Sequence, residues 1–221
     1  MKSKKDEILT TDALRLRTRK KKTGEFHHGA LKDALIAQAI RVLQESGTSE
    51  FSLRTLAKSI GVSHVAAFNH FPTKAHLLAE VAIIGYSTLG AQLRDSSLKP
   101  VSMHQAMRIY LEFAVENPGL FHAMFDQSIK PFRRFPGLEE AARKSIEPLL
   151  KMNPELDREK SERRALLTWA TAHGLVTLLL ADQLPGPFKQ LGGCPKTICA
   201  ESIERFGQLD HSDFRRLENG L

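Results

Sequence analysis

The side chains of this sequence that could do specific chemistry are concentrated between residues 52 and 74. Within this segment His64, Val65 and Asn69 offer hydrogen-bond donors, acceptors and an apolar contact along one short helix. Two alanines between them would let that helix approach closely, as the roughly 12 Å wide major groove of DNA requires. Lys74 follows a turn, where a helix N-terminus would help it to hold a phosphate. The chemistry that this pattern favours is the reading of base edges in a duplex.

Two short helices must position these side chains. Helix 53–60 has Ser52 as a candidate N-cap, and helix 64–71 has Ser63 in the same position. Gly61 lies between the two helices and permits the bend, while a proline directly after the second helix prevents its continuation. Two helices joined by a short glycine-containing turn are typical of a helix-turn-helix, in which the first helix holds the second against DNA.

The rest of the chain is helical in character, so the predicted fold class is all-α. Apolar residues recur every three or four positions, and no alternating strand pattern of useful length occurs. Prolines and glycines break the pattern, among them the segment Asn117–Gly119. The helices predicted outside the helix-turn-helix are 30–46, a helix that Thr73 caps and that runs through Ile84, and 101–116, 120–127, 138–152, 155–183 and 195–209.

The positive charge lies mostly at the start of the chain. The 221 residues carry 32 Lys and Arg against 25 Asp and Glu, a formal net charge of +7, and residues 1–28 account for +5 of it. Six of the eight residues from Arg15 to Lys22 are basic. Such a segment would gain free energy on DNA by counterion release, although a charge run can also be only a solvated tail. We interpret residues 1–28 as a flexible basic arm.

Composition and motifs argue against several other classes of protein. The longest apolar run, 175–181, is far shorter than the about 20 residues of a membrane-spanning helix, and no secretory signal follows the N-terminal lysines. Cys194 and Cys199 form neither a disulfide framework nor a zinc pattern, which fits a cytoplasmic location. His70 and His76 lie across a proline break without further ligands, so we expect no metal and no cofactor. Glycine-rich phosphate loops and nucleophile or zinc-protease motifs are missing from the sequence, which predicts that the protein is not an enzyme.

Residues 30–82 resemble the DNA-binding domain of TetR-type (TetR/AcrR) transcriptional regulators. The similarity rests on Ser52-Leu-Arg-Thr-Leu-Ala57, Gly61-Val-Ser63 and Phe68-Asn-His-Phe-Pro-Thr-Lys74, which Leu77-Leu78 follows. The resemblance implies a three-helix DNA-binding domain at residues 29–76 and a helical-bundle domain at 77–221 for effector binding and dimerisation. It further implies a homodimer that binds a palindromic DNA operator.

Residue by residue, the same resemblance assigns roles in DNA binding. Arg54 matches a position that contacts a base or a phosphate, and the start of the second helix matches base-reading positions. Phe68 stands where the family usually has a tyrosine whose hydroxyl meets a phosphate, so a ring contact with a thymine methyl group remains. Ala67 replaces a larger apolar residue that wedges the two helices together, which predicts weaker packing there. The DNA-binding candidates are Arg54, Ser63, His64, Val65, Ala66, Phe68, Asn69, His70 and Lys74.

Two further segments resemble the regulatory domain of one TetR subgroup, named for its Trp, His and Gly (WHG). They are Asn117-Pro-Gly-Leu-Phe-His-Ala-Met-Phe125 and Trp169-Ala-Thr-Ala-His-Gly174. For Trp169 and His173 two interpretations stay open: a buried indole under a histidine that hydrogen-bonds a neighbouring helix, or a polar effector contact. Gly174 predicts close helix approach, because glycine inside a helix costs about 1 kcal/mol against alanine. The effector-binding candidates, for which core packing is the alternative, are Met107, Phe113, Phe121, Met124, Phe125, Trp169 and His173.

The stretch 165–181 is apolar nearly all round, so a helix there must be buried on more than one side. We therefore predict a homodimer through the helices near 155–183 and 195–209. The predicted function is a sequence-specific transcriptional regulator, a repressor that a small-molecule effector releases from its operator. Two alternatives remain: a helical small-molecule-binding or catalytic protein with a vestigial DNA module, and a sequence-blind, nucleoid-like DNA binder.

Overall fold

The computed structural model describes residues 28–47, 51–95, 102–151, 157–184 and 193–207. Over these ranges the chain is helical with two short 3-10 turns and no strand, which confirms the all-α class. The predicted basic arm lies outside the described residues except for His28, the first residue of α1. None of the helices in the described ranges is long and apolar enough to cross a membrane. The helices are α1 (His28–Ser46), α2 (Leu53–Ser59), α3 (His64–His70), α4 (Lys74–Asp95), α5 (Met103–Glu116), α6 (Pro118–Phe125), α7 (Leu138–Leu150), α8 (Arg158–Leu180) and α9 (Pro195–Gly207).

The start of α6 differs from the expectation. The sequence predicts a break over Asn117–Gly119 and a helix from Leu120, whereas α6 begins at Pro118 and includes Gly119. The reason is that the first turn of a helix tolerates proline, since the amide lost there would have no intrahelical partner. The other predicted helix ends agree within three residues, and α4 continues beyond Ile84.

The described chain forms two compact units. The first contains the residues up to Ala91 together with Asn117–Ser145, and the second contains Gln92–Glu116 together with the residues from Ile146 onward. The predicted domain boundary lies between residues 76 and 77. The two compact units do not divide there, because α4 continues through that point and the segment 117–145 packs within the same unit as the helix-turn-helix. The boundary between DNA binding and regulation therefore stays a prediction about function.

In the first unit, α6 packs against α1 at a point where only glycine fits. A Cβ atom at Gly119 would lie 2.5 Å from the carbonyl oxygen of Ile40 and 3.0 Å from the amide nitrogen of Gln44. On α1, Leu35 and Leu43 are fully buried. The absence of a side chain at residue 119 thus lets two helix backbones approach and close the core around the apolar face of α1.

Side-chain bonds join α4 to α6 and α1 in the same unit. The hydroxyl of Tyr86 donates to the carbonyl oxygen of Met124 at 3.1 Å. Burial raises the pKa of Tyr86, so the hydroxyl keeps the proton that this bond uses. Lys32 and Glu80 form an ion pair at 2.8 Å, but both side chains are about 40% exposed, so this pair contributes little to stability.

In the second unit, α5 packs against both α8 and α9, which also contact each other. Helix α8 has a buried face and an exposed face. Its buried residues are Ala165, Thr168, Ala172 and Val176, and the residues exposed on the opposite face include Leu166, Leu167, Ala170, Gly174 and Thr177. A Cβ atom at Gly174 would meet no atom within 4 Å. The close helix approach predicted at Gly174 is therefore wrong for the described chain, because this residue faces away from α5.

Candidate nucleic-acid interface

The two short helices of the predicted helix-turn-helix are both capped as their sequences require. The Ser52 hydroxyl accepts a hydrogen bond from the amide of Thr55 at 3.1 Å. The Ser63 hydroxyl accepts one from the amide of Ala66, also at 3.1 Å. Each cap satisfies an amide that a helix start leaves without a partner, which is worth about 1 kcal/mol per cap. The structure thus confirms the helix starts that the two serines predict.

The turn between α2 and α3 depends on Gly61. Its φ of +74° lies in the left-handed region, which a residue with a side chain adopts only under strain. Just after the bend, the amide of Val62 donates to the carbonyl oxygen of Ala57 at 3.0 Å. Ala67 and Phe71, one helical turn apart, are buried and attach α3 to the unit. Ala67 is fully buried and the two helices contact each other, while the weaker packing expected from its small side chain stays a prediction.

The opposite face of α3 is open to solvent. Val65 is 56% exposed and Phe68 is 44% exposed, and His64 and Asn69 are exposed as well. The rings of His64 and Phe68 meet edge to face with their centroids 6.3 Å apart. Ala66, between them, is partly buried. One short helix therefore presents two apolar groups, an imidazole and a carboxamide, a combination suited to the donors, acceptors and methyl groups of the major groove.

Basic side chains from three helices flank this face. Arg54 is exposed on α2, and His70 is partly buried at the end of α3. Lys74 is the first residue of α4, and its ammonium lies 5.3 Å from the centre of the Phe51 ring. Because α4 begins at Lys74, the backbone amides of its first turn and the Lys74 charge lie in the same turn, and both favour the binding of a phosphate. All nine predicted DNA-binding residues thus lie on α2, α3, the Ser63 cap or the first turn of α4.

The histidines of this surface do not form a metal site in the described part of the chain. Within the described ranges, no group of three or more His, Cys, Asp or Glu side chains lies close enough to hold an ion. His76 instead places Nδ1 2.8 Å from the hydroxyl of Thr73. This histidine therefore contributes a side-chain contact to the first turn of α4.

Residues 35–81 match the family described as bacterial regulatory proteins, tetR family. Residues 103–192 match a tetracyclin repressor-like C-terminal domain. The chain belongs to the TetR family. The described helices account for both matches, since residues 35–81 contain α2 and α3 and residues 103–192 contain α5 to α8. The two matches do not specify the WHG subgroup, which stays a prediction.

Individual proteins and structures agree with this assignment. The chain is 28% identical over 98 residues to the HTH-type transcriptional regulator YobS of Bacillus subtilis, covering 43% of this chain and 51% of that protein. It is 32% identical over 95 residues to the nucleoid occlusion factor SlmA of Aliivibrio fischeri, covering 40% and 48%. A solved structure of a protein of unknown function from Rhodococcus sp. RHA1 matches with a TM-score of 0.65 at 26% identity, covering 83% of this chain and 96% of that one. The chain spans about half the length of the curated relatives that it matches.

The seven predicted effector-binding residues of this TetR-family chain do not all belong to one compact unit. Met107, Phe113, Trp169 and His173 belong to the second unit, whereas Phe121, Met124 and Phe125 belong to the first. Five of these seven residues pack in the cores or against each other: Met107, Phe113, Phe121 and Met124 are buried, and the ring of Phe125 lies 4.9 Å from that of Phe121. Core packing, the alternative left open by the sequence, describes most of this set.

For Trp169 and His173 one interpretation is a buried indole under a histidine that hydrogen-bonds a neighbouring helix, and the structure supports only the part about the histidine. His173 Nδ1 lies 3.0 Å from the hydroxyl of Tyr110 on α5, so the histidine does hydrogen-bond a neighbouring helix. The prediction that the indole is buried is wrong, because Trp169 is 38% exposed. Its ring tilts against the imidazole with centroids 6.0 Å apart. The tryptophan thus lies at the edge of the exposed α8 face.

Sequence reasoning missed two polar groups on α4 of this TetR-family chain. The side-chain oxygens Thr88 Oγ1 and Gln92 Oε1 are buried, and neither has a hydrogen-bond partner among the described residues. They lie one helical turn apart on the helix that begins at Lys74. A buried oxygen without a partner is unfavourable by about 1–3 kcal/mol, so each is a candidate to receive a polar group from outside the chain. Nothing in the local sequence distinguishes them from residues on an ordinary polar face.

Proposed function

We propose that this TetR-family regulator is a repressor that binds a palindromic operator and leaves it when a small-molecule effector binds. The observation that carries the proposal is the open face of α3, held between a capped α2 and the N-terminus of α4. In a two-fold symmetric dimer, two copies of α3 would enter successive major grooves. The centres of the half-sites should therefore be about 34–36 Å apart, or a multiple of that distance.

The effector part of the proposal is supported by α4. This helix begins at the candidate phosphate contact of Lys74 and carries the buried oxygen of Thr88, which has no hydrogen-bond partner among the described residues. A ligand that satisfied this oxygen in one arrangement of α4 and not in another would shift the population toward the first. A ligand with equal affinity for both arrangements would change nothing. We propose that such a ligand releases the operator, and that the protein acts in the cytoplasm, where the chromosome lies.

A homodimer is the assembly that this function needs. The exposed face of α8 supports it, because Leu166 is 57% exposed and Leu167 is 48% exposed on a helix of the regulatory part. Adjacent apolar residues left open in this way are typical of a surface that another chain covers. A second copy presenting the same face would bury both sets, as a two-fold interface requires.

Selection of bound fragments from random DNA duplexes tests the proposed function. We expect an enriched palindrome, followed by its release in a screen of small molecules. A helical ligand-binding or catalytic protein with a vestigial DNA module would enrich no sequence. A nucleoid-like binder would bind without sequence preference and lose binding at moderate salt or after removal of residues 1–28.

Substitutions on the selected operator separate base reading from phosphate contact. Asn69→Ala is expected to cost about 1–3 kcal/mol at particular base pairs and to relax the preference there. Lys74→Ala is the matched control, since loss of a phosphate contact weakens binding about equally on all sequences. Binding constants on a set of single-base operator variants measure both effects. A uniform loss for Asn69→Ala would contradict the placement of this residue in the groove.

A further inference from the structure

A basic loop lies in the same compact unit as the helix-turn-helix. It joins α6 to α7 over residues 126–137 and carries three exposed cations, Lys130, Arg133 and Arg134. Two of its apolar side chains, Ile129 and Phe135, are 0% and 5% exposed. Because these anchors are buried on both sides of the cations, the backbone holds the basic residues at defined positions on the surface.

Phe135 connects this loop with the first turn of α4. Its ring meets the ring of His76 edge to face, with centroids 5.3 Å apart. The guanidinium carbon of Arg134 lies 5.9 Å from the centre of the same Phe135 ring. The Phe135 ring thus lies between the guanidinium of Arg134 and the imidazole of His76 and contacts both. Since His76 bonds the hydroxyl of Thr73, the loop that carries the arginine packs through Phe135 against the turn that starts α4.

The charge of Arg134 is not neutralised within the described part of the chain. No carboxylate there forms an ion pair with Arg133 or Arg134. Glu140, on the neighbouring helix α7, is instead held by Arg143 at 2.7 Å and by Lys144 at 3.3 Å. A guanidinium without a carboxylate partner, on a loop whose Phe135 packs against the first turn of α4, suits the oxygens of a phosphate, which it can bind through two parallel hydrogen bonds.

We propose that Arg134 extends the DNA-binding surface beyond the helix-turn-helix by contacting a backbone phosphate next to the one held at the N-terminus of α4. The proposal rests on the operator binding proposed above. The proposal adds a contact from a segment that follows the helix-turn-helix by more than fifty residues. This segment lies within the match to the C-terminal domain of the family. This contact would strengthen binding without reading sequence.

Lys130 provides a matched control in the same loop. Its ammonium lies 4.5 Å from the centre of the Phe132 ring, and that ring lies 5.9 Å from the ring of Tyr86. Tyr86 is ten residues after His76 on α4, which at 1.5 Å per residue is about 15 Å farther along the helix. Lys130 therefore carries the same charge on the same loop, but its contacts lead to a later part of α4 and not to the first turn.

The test is the salt dependence of binding by the full chain to the selected operator. For Arg134→Gln we expect the slope of log K against log salt concentration to become shallower by about 0.9 for each bound protomer, with the preferred sequence unchanged. Lys130→Gln should keep the wild-type slope. Arg134→Lys should keep most of it as well, because the charge remains although the bidentate geometry is lost.

Two results would overturn the contact. One is a slope for Arg134→Gln equal to that of Lys130→Gln, and the other is an equal loss in Arg134→Lys and Arg134→Gln, which would assign the arginine to packing on Phe135. Thermal melting of the three variants checks that each is folded. If the wild-type chain selects no duplex, the proposed function fails together with this contact, whereas a failure confined to the Arg134 variants leaves operator binding intact.

Discussion

At the residue scale, hydrogen-bond satisfaction separates two threonines that look alike in the sequence. Both lie inside long helices and both have buried hydroxyls. The hydroxyl of Thr168 donates to the carbonyl oxygen of Arg164 at 2.8 Å, whereas Thr88 Oγ1 has no partner among the described residues. Because an unsatisfied buried group keeps its full desolvation penalty, the same chemical group stabilises α8 and destabilises α4.

Replacing each threonine by valine tests this difference. Thr88→Val removes an unpartnered oxygen at nearly constant volume, so we expect the free energy of unfolding without effector to rise by about 1 kcal/mol. Thr168→Val removes a hydrogen bond and should lower it by about 1 kcal/mol. Urea unfolding at one protein concentration measures both. A loss of stability in Thr88→Val would show that its hydroxyl is satisfied in solution and would remove it as a candidate effector contact.

Local patterns also explain which site residues could be predicted. The caps at Ser52 and Ser63 and the bend at Gly61 follow from residue type and spacing over a few positions, so the sequence predicts α2, α3 and their outward residues correctly. The contact between Phe135 and His76 joins residues far apart in the chain, and nothing near either residue indicates the other. The burial of Trp169 was predicted wrongly for the same reason, since exposure depends on which neighbours pack against α8.

At the element scale, the position of α6 depends on the missing side chain at Gly119. Gly119→Ala would place a carbon 2.5 Å from the carbonyl oxygen of Ile40, which is backbone and cannot swing aside. We expect a loss of about 1–3 kcal/mol in the free energy of unfolding, despite the higher helix propensity of alanine. Thermal or urea unfolding followed by circular dichroism measures it.

Gly174→Ala is the control for that change. It makes the same substitution inside α8, where the added carbon meets no atom within 4 Å. Within one chain helix propensity alone then acts, so in the Leu166→Glu background, where the exposed face of α8 is not covered by a second copy, stability should rise by up to about 1 kcal/mol. If Gly119→Ala were as stable as the wild type, the close approach of α1 and α6 would not hold in solution.

At the scale of the whole molecule, the proposed function requires that DNA binding and the response to an effector share an element. Helix α4 fulfils this requirement by its length, because it runs from Lys74 to Asp95 and the boundary between the two compact units falls within it. Its first turn is the candidate phosphate site, and Thr88, whose side-chain oxygen has no hydrogen-bond partner among the described residues, follows about three to four turns later. A small displacement of this helix can therefore alter the position of α3, which precedes it by only three residues.

The last prediction concerns the proposed dimer surface on α8. Leu166→Glu and Leu167→Glu each place a charge on the exposed face of α8, where burial against a second copy would be strongly unfavourable. Sedimentation should therefore show monomers for each variant at concentrations where the wild type is a dimer, and affinity for the palindrome should fall because only one α3 can then bind. Ile146→Glu is the matched control, since Ile146 is 41% exposed but lies on α7. Retained dimers in both α8 variants would contradict this interface, and loss of the dimer in Ile146→Glu alone would place the interface on α7 instead.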